Sequence, residues 1–172
     1  MLKLLAKLLK VLNSEAEPGQ ISIAICLGMI AGLTPLMSVH NLLVLLLALL
    51  IRVNLSAFIL GTVFFSGLAY AMDPAFHTIG LRVLKAQALE GLFTAMYNNP
   101  LLRITRFNNT IVLGSLLASL AAFVPMAFLL NFLIRKYREH LLAWVRKTRI
   151  AQIITGSKLY SIYQNVSSLR GK

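Results

Sequence analysis

The chain has 172 residues, of which 58% are hydrophobic and only 13% are charged. An average soluble domain is about 45–50% apolar and about 25% charged, so the composition excludes an ordinary soluble domain and indicates an integral membrane protein. The net charge of +12 comes from basic residues that flank apolar segments, as at a cytoplasmic membrane surface. No separate soluble basic face with interleaved aromatic residues is visible, so we expect no nucleic-acid partner.

Residues 1–17 predict an amphipathic helix that lies in the membrane interface. Lys3, Lys7 and Lys10 share one helical face, and leucines cover the opposite face. A solvated helix that packs on a partner domain is the alternative. Pro18 is expected to open the next helix, because a missing N–H costs least at the first helical position.

The stretch "GMIAGLTPLMSVHN" predicts a helix break inside a very apolar region. The segment Ile21 to Leu33 is short for a crossing, and Pro35 disfavours helical geometry at Thr34. We therefore expect residues 21–41 to form a re-entrant hairpin, either a binding site or a tightly packed structural element. The candidate residues of the polar site or break are Gly28, Gly32, Thr34, Pro35, His40, Asn41, Arg52 and Asn54.

The apolar segment 42–72 is predicted to be the outward crossing, although Arg52 interrupts it. A charge at the bilayer centre costs at least about 2.5–3.5 kcal/mol, so Arg52 must find a polar partner or reach an interface by snorkelling. Both alternatives remain open. Asp73 is expected to cap a new helix with Pro74 at its first position, and the amphipathic residues 74–97 predict a peripheral helix.

The last crossing is predicted over residues 110–134, capped by Thr110 or an adjacent asparagine. Gly114, Ala118 and Ala122 recur every four residues and form a small-residue face for helix packing, and Gly61 has the same role in the preceding crossing. Residues 135–172 predict a basic cytoplasmic helix and tail. The residues expected to contact anionic lipid headgroups are Lys3, Lys7, Lys10, Arg135, Lys136, Arg138, Trp144, Arg146 and Lys147.

The distribution of basic residues predicts the orientation of the membrane domain, residues 18–134. Three Lys or Arg residues precede Pro18, four lie between Pro74 and Arg106, and nine follow from Arg135 onward. Cytoplasmic loops carry the excess of positive charge, so we expect both termini in the cytoplasm and an even number of crossings.

Residue patterns for catalysis or metal binding are not found in the sequence. The three histidines lack the paired spacing of zinc ligands, and the single Cys26 excludes a disulfide framework. Asp73 and His77 are four residues apart, but Asp73 is already assigned to a cap. No nucleophile elbow, phosphate loop or carboxylate pair occurs. We therefore expect neither an enzyme nor a cofactor.

The stretch from Pro18 to Thr62 resembles the DUF2062 family of small bacterial membrane proteins. The shared features are Pro18, the Gly28-x-x-x-Gly32-x-x-Pro35 break, the apolar helix that follows, Arg52-Val-Asn54 and Gly61-Thr62. The resemblance covers about residues 14–74, with a core of about residues 18–74, and also part of the last predicted crossing. It implies a protein of the bacterial inner membrane, in a family of unknown function with some members joined to glycosyltransferase domains.

These observations favour an all-α inner-membrane protein that acts as a small subunit or scaffold of a cell-envelope complex. The expected partners are anionic lipids together with a larger envelope protein or further copies of the chain, and a lipid or lipid-linked glycan is the expected cargo. The alternative is a small oligomeric transporter or channel with its site at Thr34-Pro35. A membrane enzyme acting on a lipid headgroup is disfavoured, because acids and nucleophiles are scarce.

Overall fold

The computed structural model describes Val11 and residues 16–141 of the chain. Within these residues the secondary structure is helical and contains no strand, which confirms the predicted all-α class. Two short helical turns also occur in the described residues, a 3-10 turn (Gln87–Leu89) and a π-helical turn (Tyr137–Leu141). The α-helices are α1 (Pro18–Leu33), α2 (Val39–Leu50), α3 (Leu55–Leu84), α4 (Glu90–Asn98), α5 (Pro100–Arg103) and α6 (Thr110–Lys136).

Several predicted lipid contacts lie outside the described residues. These are Lys3, Lys7, Lys10, Trp144, Arg146 and Lys147, so the amphipathic amino-terminal helix and most of the basic tail remain predictions.

Helix α1 is the central element of the fold, although it has only 16 residues. It begins at Pro18 and ends before Thr34, as predicted, because Pro35 holds Thr34 in an extended conformation. It packs between α3 and α6, the two long helices. Its residues are buried around most of the helix, including Ile21, Ala24, Leu27, Met29 and Ile30.

Glycines set the distance between α1 and α3. A Cβ atom added to Gly32 would lie 2.6 Å from the Thr62 carbonyl oxygen, and one added to Gly61 would lie 2.8 Å from the Ile25 carbonyl oxygen. A Cβ on Gly28 would collide with the Phe58 carbonyl. The pairing of Ile25 with Gly61 and of Gly32 with Ser66 also shows that the two helices run parallel.

A second close approach joins α3 to α6. A Cβ added to Gly80 would collide with the Thr110 carbonyl, and one added to Gly114 would collide with the Phe76 carbonyl. This pairing makes the two helices antiparallel. Ala118 and Ala122 pack on the adjoining hydrophobic cluster around Met29, Leu33, Phe65 and Phe76. The small residues of α6 therefore face the bundle.

The bundle has two distinct ends. At the Arg52 end, α1 and α3 begin while α2 and α6 finish, and Ala48, Val53, Ala57 and Ile134 share one hydrophobic cluster. At the opposite end, which we call the break end, α1 stops at Leu33. Helices α3 and α6 continue beyond this level, so they meet each other there without α1 between them.

The predicted boundaries of the first crossing and the peripheral helix were wrong. The apolar segment 42–72 is divided by a turn at Arg52, which has a left-handed φ of 50°, and Asn54 then caps α3 by accepting a hydrogen bond from the Ala57 N–H. Helix α3 continues through Pro74 to Leu84 rather than ending at Asp73. Phe76 is fully buried, and this packing holds the helix beyond the proline.

Among the residues that the structure describes, two helical segments are long and apolar enough to cross a membrane, Leu55–Leu84 and Thr110–Glu139. Asn109 caps the second by accepting hydrogen bonds from the Ile111 and Val112 N–H groups, which confirms the asparagine alternative for the cap. Helix α2 is too short for this role and contacts the bundle along one stripe, with Asn41 and Ala48 buried.

The glycine contacts predict a sharp difference between two substitutions on the same helix. Gly80→Ala should destabilise the protein by about 1–3 kcal/mol or more, because the new methyl group meets the Thr110 backbone, which cannot rotate away. Gly67→Ala should be neutral or stabilising by up to about 1 kcal/mol, because no atom lies within 4 Å of the added Cβ. Thermal unfolding of the purified variants in detergent measures both. Equal changes in the unfolding temperature of Gly80→Ala and Gly67→Ala would show that α3 and α6 pack less closely at Gly80 than described.

Candidate functional site: the helix break and the adjoining cleft

The break after α1 is a hydrogen-bonded turn centred on Asn41. In an uninterrupted helix the Ala31 carbonyl would accept a hydrogen bond from the N–H of residue 35, but proline has none. The Asn41 side-chain amide supplies this donor at 3.2 Å and also donates to the Pro35 carbonyl at 3.1 Å. The first residues of α2 therefore satisfy the end of α1.

Thr34 completes this buried arrangement. Its hydroxyl lies 2.7 Å from the Ile30 carbonyl and 2.9 Å from Asn41 Oδ1, and its own N–H donates to the Ile30 carbonyl at 3.2 Å. Both Thr34 and Asn41 are buried. The polar side chains predicted near the break are thus engaged with each other and with the backbone.

Ser38 and His40 form the outer part of the turn. The Ser38 hydroxyl donates to the Pro35 carbonyl at 2.7 Å, so its contact of 2.9 Å with His40 Nε2 requires the histidine nitrogen to be the donor. This assigns the proton of a neutral His40 to Nε2. His40 therefore supports the turn through Ser38.

The structure separates two of the predicted site residues from the others. Gly28, Gly32, Thr34, Pro35, His40 and Asn41 lie along α1 and at the α1–α2 turn, whereas Arg52 and Asn54 lie at the far end of α2. The 12 residues of α2 separate the two groups by about 18 Å at 1.5 Å per residue. Arg52 is exposed, so it does not belong to a polar site at the break.

A cleft of about 490 Å³ opens beside the break. Its floor is the end of α1 and the turn after it, and its walls are one face of α3 and the beginning of α6. The lining residues are Gly32, Leu33, Thr34, Pro35, Leu36, Met37, Ser66, Ala69, Tyr70, Asp73, Asn109 and Ile111. The cleft exists because α1 stops while its two neighbours continue.

Three polar residues of α3 line this cleft. The sequence did not identify them as candidate site residues. Ser66, Tyr70 and Asp73 are spaced by four and three residues and so share one helical face. The Asp73 carboxylate is partly buried and has neither a hydrogen bond nor an ion pair within the described chain. This spacing was the sequence signal for the site. It was missed because a helix boundary was predicted at Asp73.

The Tyr70 carbonyl differs from other carbonyls of α3. Its helical donor would be the N–H of residue 74, which is proline, so this carbonyl has no i+4 hydrogen bond. At Pro35 the same deficit is met by Asn41. Two residues that line the cleft, Asp73 and Tyr70, thus carry a carboxylate and a backbone carbonyl that lacks its usual helical donor.

His77 is engaged in a contact between helices. Its Nδ1 lies 2.7 Å from the Thr110 hydroxyl, which links α3 to α6. Within the described residues no group of three His, Cys, Asp or Glu side chains is placed to hold a metal ion. The arrangement suits noncovalent binding of a polar group in the cleft.

The role of Asn41 in the break can be tested directly. Asn41→Ala should destabilise the protein by about 1–3 kcal/mol, because the buried Ala31 carbonyl would lose its donor. Ser38→Ala is the matched control and should cost less than about 1 kcal/mol, because its hydrogen bond is exposed. Thermal unfolding in detergent compares the two. A loss for Ser38→Ala as large as that for Asn41→Ala would contradict the assigned roles.

Comparison with known proteins extends the resemblance beyond the hairpin. The family model described as an uncharacterized protein conserved in bacteria (DUF2062) matches residues 3–142. An uncharacterized protein of Treponema pallidum (strain Nichols) is 24% identical over 159 residues, covering 92% of this chain and 98% of that protein. No solved structure matches the chain. The family match includes the hairpin, the cleft and both long helices, and the chain belongs to the DUF2062 family.

Proposed function

We propose that this protein is a non-enzymatic integral protein of the bacterial inner membrane that serves as a small subunit or scaffold of a cell-envelope complex. The observation that carries the proposal is the exposure of its apolar helices. Only 22% and 11% of the most apolar windows of the two long helices are buried in the protein. The core helix of a soluble protein would be mostly buried, so these surfaces need lipid or protein around them.

The hairpin fits a re-entrant element that enters from the Arg52 end. The end of α1 lies beside Ser66, which is 12 residues beyond Asn54, or about 18 Å along α3. A hydrocarbon core is about 30 Å thick. The hairpin therefore stops inside the membrane, and the cleft occupies the remaining depth toward the break end.

Basic residues support a cytoplasmic location of the Arg52 end. Arg52, Arg135, Lys136 and Arg138 lie there, and the basic residues of both terminal segments adjoin it in sequence. Positively charged segments are retained in the cytoplasm and attract anionic headgroups. In this orientation Arg52 places its charge at the membrane interface. This is the second of the two alternatives that the sequence left open for Arg52.

Helix α2 supports the scaffold role. Asn41, Val44 and Ala48 face the bundle, whereas the leucines of α2 form an exposed apolar surface. We propose that this surface contacts a larger envelope protein or a second copy of the chain. The exposed leucines of this surface are Leu42, Leu43, Leu45, Leu46, Leu47, Leu49 and Leu50.

The cleft at the break is the feature that favours the alternative of a small oligomeric transporter. Transport would require the hairpin to move relative to α3. The backbone contacts at Gly28, Gly32 and Gly61 leave no space for sliding, because these helices already touch through main-chain atoms. The geometry therefore supports a rigid scaffold with a binding cleft better than a moving gate.

The scaffold proposal predicts a protein neighbour for α2. A photo-reactive amino acid at Leu46, which is 51% exposed, should give a discrete protein adduct in living cells. The control places the photo-reactive amino acid at Phe128 on α6, which is 73% exposed. We expect this position to face lipid and to give lipid adducts. Electrophoresis and mass spectrometry read both. An adduct of twice the chain mass would identify a homo-oligomer, and lipid adducts alone at both positions would refute the scaffold role.

The proposed topology predicts the accessibility of two single cysteines placed in a Cys26→Ala background. Gln87→Cys, between α3 and α4, should react with a membrane-impermeant thiol reagent in intact spheroplasts. Glu17→Cys, just before α1, should react only after permeabilisation. Both parent residues are exposed. Labelling of Glu17→Cys in intact spheroplasts would reverse the orientation, and shielding of both positions would remove the two-crossing topology.

A further inference from the structure

We propose that the cleft binds the primary ammonium group of an amphiphile, with the Asp73 carboxylate as its counter-ion. In a bacterial membrane the abundant source of this chemistry is an aminophospholipid, and a free alkylamine is the other source. The inference rests on the membrane location proposed above, and it gives the lipid cargo expected from the sequence a defined ligand class.

The charge of Asp73 is the first argument. Asp73 follows 18 residues of α3, Leu55 to Met72, which span about 27 Å and place it near the outer edge of the hydrocarbon core. An ionised carboxylate at this depth needs a cation or hydrogen-bond donors. The described chain supplies neither. A ligand that enters from the lipid is positioned to provide the missing charge.

The number of acceptors favours a primary ammonium over other cations. An ammonium group donates three hydrogen bonds, and three cleft-lining residues of α3 carry oxygen acceptors. These acceptors are the Asp73 carboxylate, the Ser66 hydroxyl and the Tyr70 carbonyl, which has no i+4 donor because residue 74 is proline. A calcium ion requires six to eight oxygen ligands. A quaternary ammonium is usually held in an aromatic cage, whereas Tyr70 is the one aromatic side chain among the described residues that line this cleft.

The remaining lining suits an acyl chain. Leu33, Leu36, Met37 and Ile111 surround the cleft with apolar side chains, and Met37 is 95% exposed at the tip of the hairpin. The volume of about 490 Å³ lies within the about 300–1,000 Å³ typical of small-molecule sites. The polar group would therefore sit against α3 while a chain leaves along the hairpin tip.

The test compares the protein in nanodiscs made of phosphatidylglycerol alone and with added phosphatidylethanolamine. Lipids retained by the wild-type protein are counted by native mass spectrometry, and octylamine is titrated separately as a soluble amine. The wild-type protein should retain phosphatidylethanolamine selectively. Asp73→Asn should weaken this retention by about tenfold or more, because a charged hydrogen bond is lost. Glu90→Gln, which removes an exposed carboxylate outside the cleft, should leave it unchanged.

A second variant separates binding from folding. Pro74→Ala restores an N–H donor for the Tyr70 carbonyl. It should therefore raise the midpoint of thermal unfolding of the protein and lower its amine retention. These opposite shifts are not expected of a merely structural residue. Asp73→Asn should keep the wild-type midpoint in lipid without amine, since its carboxylate makes no bond within the described chain.

Each outcome bears on the proposal. Selective retention of phosphatidylethanolamine that falls in both variants supports a lipid ligand, and octylamine binding alone that falls in both supports a free amine. Equal retention by wild-type protein and Asp73→Asn overturns the proposal, as does unchanged amine retention in Pro74→Ala. Failure of the cysteine-labelling pattern would instead remove the membrane topology, so the two failures are distinguishable.

Discussion

The rest of the structure depends on main-chain contact between helices at glycine. Gly28, Gly32 and Gly61 bring α1 against α3, and Gly80 with Gly114 brings α3 against α6. Contacts of this kind need no large apolar interface, so the helices can pack closely while most of their side chains point outward. Many leucine and phenylalanine side chains are therefore exposed on the outer surface. A fold held in this way suits a membrane better than water.

The length of α1 determines where the cleft lies. Because α1 ends at Leu33, α3 and α6 must enclose the space beyond it, and the hairpin turn becomes the floor of that space. Thr34, Ser38 and Asn41 in this turn make hydrogen bonds to one another or to nearby backbone carbonyls. The α3 side of the cleft differs, because the Asp73 carboxylate has no hydrogen bond within the described chain and the Tyr70 carbonyl lacks its i+4 helical donor.

Pro35 and Pro74 lie in similar apolar sequences but have different effects on their helices. The cause of this difference is tertiary packing. Pro35 ends α1, and Asn41 replaces the missing donor. Pro74 leaves α3 continuous, because Phe76 is buried and Gly80 packs on α6 immediately afterwards. Burial of one large aromatic side chain contributes about 1.5–3 kcal/mol, which is comparable with the cost of about 3 kcal/mol for a proline in a helix. The carbonyl of Tyr70 is left without its helical donor as a result.

The sequence by itself determined the helical class, the start of α1 at Pro18 and its end before Thr34, because these depend on composition and on the local geometry of proline. It left the cap of α6 open between Thr110 and an asparagine, and the structure identifies Asn109. Only the tertiary structure decided that α3 passes through Pro74, that Arg52 lies about 18 Å along α2 from the break, and that Ser66, Tyr70 and Asp73 face one cleft with Asn109. Local patterns specify where a chain prefers to turn. Whether the chain turns there depends on the packing that distant side chains would lose. A local sequence pattern does not show which side chains these are.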